Sequence, residues 1–500
     1  MVVQHNMQAA NASRMLGITT NAQSKSTEKL SSGYRINRAA DDAAGLSISE
    51  KMRKQIRGLD QASTNASDGI SAVQTAEGAL TEVHSMLQRM NELAVQAANG
   101  TNSESDRSSI QDEINQLTTE IDRVAETTKF NETYLLKGYY GTKDIKISAH
   151  DAGLDGVLTQ NVNRATFTMT ALAMGDKVTI GGTTYEIGVG KTGGSGSTPG
   201  DQKLNNALTI LGIEEKSKAD GAVITIDGKS YTVDNTNGTD VTQSKVSFAD
   251  IGKFANEGST ISYNGKSVTM FSSGVTNGVD DSNRLLITAE KAYEMIATEL
   301  KAASSIGADQ VVDIKDADIK YNGSTQVSKV GSTTSTVNDI KPKTISDGNI
   351  KVTFSFDKET VKVANELSFN LHVGSDADMT NKIGVTIESM SAAALGIQGL
   401  NVSDATGKAA TYAIDSIADA VAKVSAQRSS LGAVQNRLEH SIANLDNVVE
   451  NTDAAESRIR DTDMADEMVT YSKNNILAQA GQSMLAQANQ STQGVLSILQ

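Results

Sequence analysis

Apolar residues recur at a spacing of seven along the chain, at positions 52, 59, 66, 73, 80, 87 and 94. A second series of apolar or small residues occupies positions 62, 69, 76, 83, 90 and 97. Two such series form the contact seam of a coiled coil. The pattern predicts one helix over residues 46–99, with Gly100 as a left-handed C-terminal cap. The small residues Ala66, Gly69 and Ala76 leave room for another helix to approach closely.

Two further amphipathic helices follow from the same reasoning. One is predicted to begin near Ser103, because Asp106 stands three residues later as a capping-box partner. The other is predicted over residues 411–449. The first has the apolar stripe Ile110, Ile114, Leu117, Ile121 and Val124, and the second has Ile417, Val424, Leu431, Leu438 and Leu445. Long heptad-patterned helices near both ends predict an elongated α-helical bundle, or coiled coil, that joins them with a left-handed supercoil.

The two tips of the chain are poor in charge. Residues 474–500 carry no charged side chain, and Arg14 is the one charged side chain before Lys25. Glutamine and asparagine interrupt the apolar runs of the C-terminal tip, so it is not predicted to span a membrane. Its large aliphatic residues are not typical of a solvated tail. Both tips are therefore predicted to be amphipathic helices that pair with each other and with copies from neighbouring chains.

The middle of the chain has a different pattern. Turn dipeptides with glycine separate alternating strands in the runs 178–187, 224–233, 261–270 and 319–327. Such runs predict β-hairpins. Helical patterns follow hairpins at 201–212 and 283–303, which indicates a hairpin-plus-helix unit used at least twice, and the Gly/Ser-rich run 191–200 is predicted to be a surface loop. The fold class is therefore α+β, with a hairpin-rich region inserted between helical ends.

Composition excludes several classes of function. The formal net charge of −15 argues against a nucleic-acid partner. The chain has no cysteine, and its five histidines are isolated, at positions 5, 84, 150, 372 and 440. We find no zinc-protease motif and no phosphate-binding loop, so we expect neither an enzyme nor a cofactor. The start of the sequence lacks a basic region followed by an apolar one, so no cleaved secretory signal is expected.

Several long stretches, in order along the chain, resemble bacterial flagellin: residues 21–53, 87–114, 425–445, 456–468 and 475–496. The resemblance covers about 1–140 and 365–500. It implies a subunit that leaves the cell through the flagellar type III apparatus and assembles head-to-tail into the hollow extracellular filament used for swimming. It also implies, as partners, other copies of the chain, an export chaperone on the C-terminal segment, the filament cap protein and hook–filament junction proteins. Membrane insertion is not expected.

The resemblance also implies a layered organisation. Residues 1–40 with 457–500 are expected to form inner-tube helices that are disordered in the monomer and ordered in the filament. Residues 41–172 with 364–456 are expected to form a helical outer tube with a small hairpin region, and 173–363 variable surface domains. The expected inner-tube packing residues are Val3, Met7, Met484, Leu485, Val495, Leu496, Ile498 and Leu499. Residues 474–500 are expected to line or flank the export channel; alternatively, their glutamines pack between helices, and one helix can do both.

Two groups of residues are candidate contact sites by the same resemblance. Arg89, Leu93 and Glu113 match positions at which flagellins contact the flagellin-sensing Toll-like receptor; the same face is also expected to pack against an adjacent subunit. The second group is Arg35, Arg38, Asp41 and Asp42, in the expected connector between inner and outer tube. There Arg–Asp contacts could fix the register of subunits, whereas the alternative is a solvated loop. Residues 456–468 form the matching C-terminal connector, with alternating charges suited to pairing.

The sequence departs from the flagellin pattern in places. Gln4 stands where an asparagine is usual, and Glu132 where glycine is usual, which weakens the prediction of a left-handed turn at that position. Two alternatives stay open: a related hook–filament junction protein, although such proteins lack the near-complete motif at 475–496, and an adhesin displayed by the middle region.

Overall fold

A computed structural model describes residues 6–498, apart from 190–203, 205–206, 214–219, 237–238, 273, 315–318, 322–324, 327–350 and 405. The predicted surface loop at 191–200 and much of the predicted helix at 201–212 lie outside the described residues. So do Val3 and Leu499, and the side chains of Val495, Leu496 and Ile498.

The helices are α1 Met7–Ser32, α2 Ala43–Ala98, α3 Glu104–Thr127, α4 Ala289–Ser304, α5 Ala392–Leu395, α6 Lys408–Arg460 and α7 Met464–Ile498. The strands before α4 are β1 Lys129–Phe130, β2 Thr133–Tyr134, β3 Tyr139–Lys146, β4 Val157–Gln160, β5 Arg164–Thr170, β6 Lys177–Ile180, β7 Thr183–Ile187, β8 Val223–Ile226, β9 Lys229–Val233, β10 Lys245–Val246, β11 Thr260–Tyr263, β12 Lys266–Thr269, β13 Val275–Thr276, β14 Val279–Asp280 and β15 Leu286–Ile287. The strands after α4 are β16 Ile319–Tyr321, β17 Thr325–Gln326, β18 Lys351–Asp357, β19 Thr360–Asn365, β20 Leu367–His372 and β21 Lys382–Ile387. Long helices near both ends and a strand-rich middle confirm the predicted α+β class.

The chain divides into two compact units. The first contains Met1–Gln74, Phe369–Val385 and Leu431–Gln500, and the second contains Thr75–Ser368 and Thr386–Ser430. Helices α2 and α6 each contribute residues to both. The layered organisation expected from the resemblance concerns the assembled filament, so it stays a prediction.

In the first unit, α2 and α6 meet along the predicted heptad seam. Leu59 and Ala62 pack against Leu445 of α6. Gly69 lies on the same face, and a Cβ atom there would stand 2.2 Å from Cδ1 of Leu371 in β20. This glycine therefore makes room for a strand, whereas the sequence suggested room for another helix.

In the second unit the heptad residues are completely buried: Leu80, Val83, Leu87, Met90, Ile417 and Val424. Burial of each large aliphatic side chain contributes about 2 kcal/mol to stability. The predicted heptad positions from 59 to 97 of α2 and from 417 to 445 of α6 are therefore confirmed as core positions, whereas Met52 is half-buried. A one-residue shift of either helix would expose the buried positions.

Helices α2 and α6 are longer than the apolar repeat predicts. Helix α2 begins at Ala43, after Asp42, whose Oδ1 accepts hydrogen bonds from the amides of Ala44 and Gly45. Helix α6 continues to Arg460 through the polar residues 450–460, which contain no glycine or proline. The apolar repeat predicts only the part of a helix that packs against another element. The ends of α2 and α6 continue beyond that part without an apolar repeat.

Helix α3 begins as predicted. The Oγ of Ser103 accepts a hydrogen bond from the amide of Asp106 at 3.2 Å, and Asp106 Oδ2 accepts one from the amide of Ser103 at 3.1 Å. This reciprocal pair is the capping box. The start of α3 is thus encoded by two residues alone.

The end of α2 differs from the prediction. Gly100 does not have a positive φ, so the left-handed glycine cap predicted there is wrong. Instead, the buried side chain of Arg107 in α3 donates from Nε to the carbonyl oxygen of Ala97 at 3.0 Å and from Nη2 to that of Asn99 at 3.4 Å. A cation here satisfies carbonyl groups that a helix end leaves unpaired and suits the negative end of the helix dipole.

The predicted hairpins in the middle of the chain form. Strand β6 pairs antiparallel with β7, β8 with β9, and β11 with β12. Both turn residues have positive φ, as a type I′ turn requires, in Gly181-Gly182, Asp227-Gly228 and Asn264-Gly265. Strand β16 also pairs with β17. A further hairpin, β13 with β14 through Asn277-Gly278, was not predicted although the same dipeptide signals it.

Long-range pairing builds the rest of the second unit. The full length of β5 pairs antiparallel with β18, from Arg164 opposite Asp357 to Thr170 opposite Lys351. Both strands lie inside the sheet β17-β16-β18-β5-β4. The same unit contains the sheets β10-β9-β8-β11-β12 and β13-β14-β15-β7-β6. The core under β5 and β18 includes Tyr293 of α4. Residue patterns alone did not reveal this pairing.

Helix α4 begins later than the predicted 283. Leu286 and Ile287 instead form β15, which pairs in parallel with β7. Thr288 then caps the helix, its side chain accepting a hydrogen bond from the amide of Lys291 at 3.2 Å. Leu286 and Ile287 thus extend a sheet. Hydrophobic periodicity cannot distinguish such a short apolar strand from the first turn of a helix.

The turn at Glu132 forms in spite of the residue. Asn131 and Glu132 join β1 to β2 with φ of 42° and 68°. The sequence-based doubt about a left-handed turn here is therefore wrong. A left-handed residue other than glycine costs about 1 kcal/mol, and the pairing of Phe130 with Thr133 holds it in place.

Replacing Arg107 with methionine should lower the free energy of unfolding by about 3 kcal/mol, because buried carbonyl groups at the end of α2 lose a charged donor. Urea denaturation followed by circular dichroism measures the change. Arg123→Met, on the same helix but in an exposed pair with Glu120, is the matched control and should change little. Equal stability of the two variants would contradict the cap.

Candidate functional site

The terminal helices contact each other but leave apolar side chains uncovered. Helix α1 packs against α7, and Asn6 Nδ2 donates to the carbonyl oxygen of Ala488 at 3.1 Å. Among the described residues of α1 and α7, the buried ones are only Ser26 and Ala478. The exposed large apolar side chains of the pair are Met7, Met15, Ile18, Met464, Met468, Val469, Ile476, Leu477 and Met484. An exposed set of this size is typical of a surface that binds protein.

The expected inner packing residues follow this pattern where the structure describes them. Met7 is 75% exposed and Met484 is 61% exposed, whereas Leu485 is half-buried. A single chain therefore does not bury the two methionines. Their expected packing in the filament stays a prediction.

The start of α1 and the end of α7 are nearly free of ions. Arg14, the one charged residue of α1 before Lys25, donates from Nη2 to Asn11 Oδ1 at 2.9 Å. In α7 no charged residue follows Lys473. Gln479, Gln482, Gln487 and Gln490 of this part of α7 are exposed. Surfaces of this kind can approach one another without charge repulsion.

The two connectors are bound together within the first unit. The amide of Arg35 donates to the carbonyl oxygen of Arg460 at 2.7 Å, and the amide of Thr462 donates to that of Gly33 at 3.0 Å. The Arg460 guanidinium lies 4.8 Å from the centroid of the Tyr34 ring and its Nη1 lies 2.9 Å from Glu50 Oε1. The chain thus enters α2 and leaves α6 through one joined segment.

The remaining connector residues serve the turn before α2. Asp41 Oδ2 accepts hydrogen bonds from the amides of Arg38 at 2.9 Å and Asn37 at 3.2 Å. The Arg38 bond is the main cause that holds the pKa of Asp41 below its usual range. The exposed Arg38 side chain pairs with Glu28 at 2.9 Å. Among the described residues, no Arg–Asp side-chain pair joins Arg35 or Arg38 to Asp41 or Asp42, so their role in subunit register stays a prediction.

The receptor candidates fall at different depths. Arg89 Nε lies 2.9 Å from Glu113 Oε1 and Nη1 lies 3.2 Å from Glu92 Oε2. The hydrogen bond that Arg89 donates to Glu113 is the main cause that raises the pKa of Arg89. Leu93 is only 2% exposed, although it lies one turn from the exposed Arg89–Glu113 pair. The structure brings Arg89 and Glu113 together at the surface and places Leu93 beneath it.

Sequence reasoning missed two structural residues. Arg460 was seen as part of a charge-alternating run, but its place over Tyr34 depends on bringing together two ends of the chain. Arg107 carried no recognisable signal, since a helix cap from a neighbouring helix has no fixed spacing. Glu92, three residues after Arg89, could have been found from the helical spacing of opposite charges.

Buried titratable groups do not form a reactive site. His150 Nε2 lies 3.4 Å from Ser416 Oγ, and burial lowers the pKa of His150. Burial also raises the pKa of the neighbouring Asp415. Both His150 and Ser416 are buried, so a substrate does not reach them. In the described ranges, no group of three or more histidines and acidic residues is placed to hold a metal ion.

A helix that crosses a membrane must be both long and apolar. None of the described helices joins sufficient length to sufficient apolarity for a membrane crossing.

Comparisons with known proteins find similarity to flagellins at both ends of the chain and over its full length. The family model for the bacterial flagellin N-terminal helical region matches residues 3–141, and that for the C-terminal helical region matches 414–499. A flagellin from Clostridium tyrobutyricum is 38% identical over 99% of this chain and 100% of its own length. Polar flagellin A from Vibrio parahaemolyticus serotype O3:K6 is 33% identical over 99% of each chain. The match to the solved structure of FliC from Burkholderia pseudomallei covers 74% of this chain and 99% of that one, at 20% identity and with a low TM-score of 0.26.

Asp41 should titrate below the ordinary range of an aspartate in NMR spectra of the lone subunit. A pKa lowered in the folded state means that the contribution of this turn to stability is present above about pH 4. It is lost as pH falls through the folded pKa, when the acceptor of the Arg38 and Asn37 amides is protonated.

Amide exchange at Asn37 and Arg38 provides the comparison. In Asp41→Asn, hydrogen exchange at these two amides should be faster than in the unchanged chain. Its rate should also no longer change as the pH falls through the pKa of Asp41. An ordinary pKa for Asp41 would contradict the geometry described for this turn.

Proposed function

The chain belongs to the bacterial flagellin family and is a structural subunit of the extracellular flagellar filament, and we propose that the exposed apolar faces of α1 and α7 are the surfaces through which copies stack. The family consists of structural filament proteins and not of enzymes. Full-length relatives that are flagellins favour this function over the related junction protein. No observation on the middle region favours an adhesin.

The observation that carries the proposal is the uncovered apolar set on α1 and α7. Each side chain that a neighbouring copy covers contributes about 1.5–3 kcal/mol. A contact between different faces of identical chains produces a helical polymer when its rotation does not close into a ring. The part of α7 after Lys473 is polar but uncharged, and α1 carries only Arg14 before Lys25, so copies can approach there in spite of a net charge of −15 on each.

We further propose that α1 and α7 become firmly ordered only on assembly. Helices that bury few residues gain little from tertiary packing, which supplies most helical stability in proteins. Binding of the ordered form by neighbouring copies shifts the equilibrium by mass action. A chain whose ends are loosely held is also suited to passage through the flagellar type III apparatus.

The same exposed set supports the proposed export chaperone. Val469, Ile476 and Leu477 stand exposed on α7, and before assembly they would attract unrelated apolar surfaces. A chaperone on the C-terminal segment covers them until a growing filament does. The filament cap and hook–filament junction proteins are proposed to meet the same end surfaces, since they adjoin the subunits at either end of the polymer.

The exposed glutamines of α7 support a place beside the export channel. Gln479 and Gln482 do not pack into the core of their own chain. An amide surface offers a passing chain neither a fixed ion nor a bare apolar area. The alternative, that neighbouring copies bury these amides, uses the other face of the same helix.

The connector residues are proposed to fix the register between subunits. The Arg38–Glu28 pair is exposed, so Arg38 can exchange this partner for a carboxylate of a neighbouring copy. Asp41 and Asp42 hold the turn that displays Arg38, while Arg35 attaches the turn to the end of α6. A register role therefore falls first on Arg38.

Arg89 and Glu113 are proposed to form a contact surface for the flagellin-sensing Toll-like receptor on the monomer. Because the pair is exposed, Arg89 and Glu113 can each bind an opposite charge of a partner instead of one another. The buried Leu93 helps to fix the position of α2 under this surface. In the filament the same face is proposed to pack against an adjacent subunit. The two partners would then exclude each other.

Removal of residues 474–500 should leave a folded monomer that does not extend filament seeds in electron microscopy. A single change isolates the apolar face: Ile476→Gln should raise the critical concentration for seeded growth about tenfold, because 1.4 kcal/mol of lost burial corresponds to that factor. The matched control is Val311→Gln, an exposed valine outside the terminal helices. Normal growth of the truncated chain would refute the stacking role of α7.

Arg89→Ala and Glu113→Ala should each weaken binding of the monomer to the purified receptor ectodomain about tenfold, the usual effect of a central charged contact. Arg123→Ala removes a similar exposed pair from α3 and should bind like the unchanged protein. Surface plasmon resonance measures the affinities. Equal affinity of Arg89→Ala and Arg123→Ala would remove this surface from the proposal.

A further inference from the structure

The turn between α2 and α3 contains the pair Asn99-Gly100. Both residues are exposed, and they lie between the end of α2 at Ala98 and the start of α3 at Glu104. Such a pair can react within itself, because the amide nitrogen of the glycine can attack Cγ, the side-chain carbonyl carbon of the asparagine. Glycine leaves this nitrogen accessible, since it has no Cβ atom.

The nitrogen that would attack is free. Among the described residues, no group accepts a hydrogen bond from the Gly100 amide. The space around Gly100 is also open, since a Cβ atom built there would meet no atom within 4 Å. Water and hydroxide can therefore reach the amide proton, and its removal breaks no hydrogen bond of the folded chain.

The peptide group that loses this proton is held by donors. The carbonyl oxygen of Asn99 belongs to the same peptide group as the Gly100 amide. It accepts hydrogen bonds from the amide of Asn102 at 3.2 Å and from Arg107 Nη2 at 3.4 Å. Loss of the proton places negative charge on this oxygen by resonance, and hydrogen bonds become stronger when their groups are charged. The cation of Arg107 therefore favours the reactive form of the Gly100 nitrogen.

The carbonyl group that would be attacked is also polarised. Asn99 Oδ1 accepts a hydrogen bond from the amide of Thr101 at 3.2 Å. Negative charge develops on Oδ1 as the Gly100 nitrogen binds Cγ. A donor that is already aimed at the atom where charge develops lowers the barrier, as in an oxyanion hole. The turn thus combines a free nucleophile with an activated carbonyl group.

Other Asn-Gly pairs of the chain are held differently. Asn264-Gly265 and Asn277-Gly278 lie in hairpin turns, and both asparagines have a φ of 50°. The residues on either side of each turn are paired across the two strands. Closure of the ring requires rotation of the backbone between the asparagine and the glycine, which the paired strands resist. The same dipeptide should therefore react more slowly in these hairpins.

We propose that Asn99 is a site of spontaneous deamidation, a covalent modification that needs only water. The Gly100 nitrogen loses its proton and forms a bond to Cγ of Asn99. The bond from Cγ to Nδ2 breaks, and ammonia leaves with that proton, so that a cyclic imide remains. Water then opens the imide at either carbonyl group and gives aspartate or isoaspartate. Each modified chain gains one carboxylate in the turn, close to Arg107, and no enzyme is required.

Mass spectrometry of the lone, folded, full-length subunit tests the proposal after incubation at mildly alkaline pH. Asn99 should be converted about tenfold faster than Asn264 and Asn277, because a positioned donor changes a rate by at least this factor. In urea the two hairpin asparagines should react faster than in the folded chain, whereas Asn99 should not. Equal rates at the three positions of the folded subunit, or faster conversion of Asn99 in urea, would overturn the proposal.

A pair of variants tests the part played by the Thr101 amide. Thr101→Pro removes this N–H group, whereas Thr101→Ala keeps it, and circular dichroism checks that both variants fold. Conversion of Asn99 should be about tenfold slower in folded Thr101→Pro and unchanged in Thr101→Ala, and the difference should vanish in urea. Equal rates in the two folded variants would contradict the activation of Asn99 by its turn. Neither test uses filament growth, so its failure would leave the proposed function intact.

Discussion

Apolar side chains that one copy of the chain does not cover are the constraint on which the structure depends. Helices α1 and α7 contact each other, but apolar side chains such as Met7, Val469 and Ile476 stay exposed to water. The helices of the second unit instead bury a full heptad seam, with Leu80, Leu87 and Val424 completely enclosed. The chain therefore combines a core that is complete within one copy with ends that gain stability from neighbours. This division suits a subunit that is made singly and used in a polymer.

Charge and polarity decide where copies can meet. Each copy carries a net charge of −15, which keeps separate chains soluble and apart. The amide-rich part of α7 that is proposed for contact carries no charge. Attraction at this surface comes from apolar burial, with repulsion removed. The paired charges of Arg38 and Arg89 are exposed and exchangeable, which fits a role in alignment more than in affinity.

Local patterns predicted much of the fold. The seven-residue repeat identified Leu80 and Leu438 as core, and glycine-containing dipeptides such as Asn264-Gly265 identified hairpin turns. These features depend on residues close together in sequence. The cap of α2 by Arg107 was missed, and the pairing of β5 with β18 was not found, because both depend on segments brought together by the fold. Glu132 shows the reverse case, in which two paired strands hold a residue in a conformation that its own preference disfavours.

The candidate site was predictable to a similar extent. Charge poverty at both tips indicated the terminal surfaces, and the resemblance indicated Arg89 and Glu113. The burial of Leu93 was not foreseen, because a two-helix seam predicts positions 90 and 94 and does not include position 93.

Amide hydrogen exchange, compared between the lone subunit and the filament, tests the central claim most directly. The account predicts rapid exchange along α1 and α7 in the lone subunit, slow exchange along the buried part of α2, and slow exchange along all of these helices in the filament. Equal protection of α1 and α7 in both states would contradict it, because the terminal helices would then be complete without neighbours.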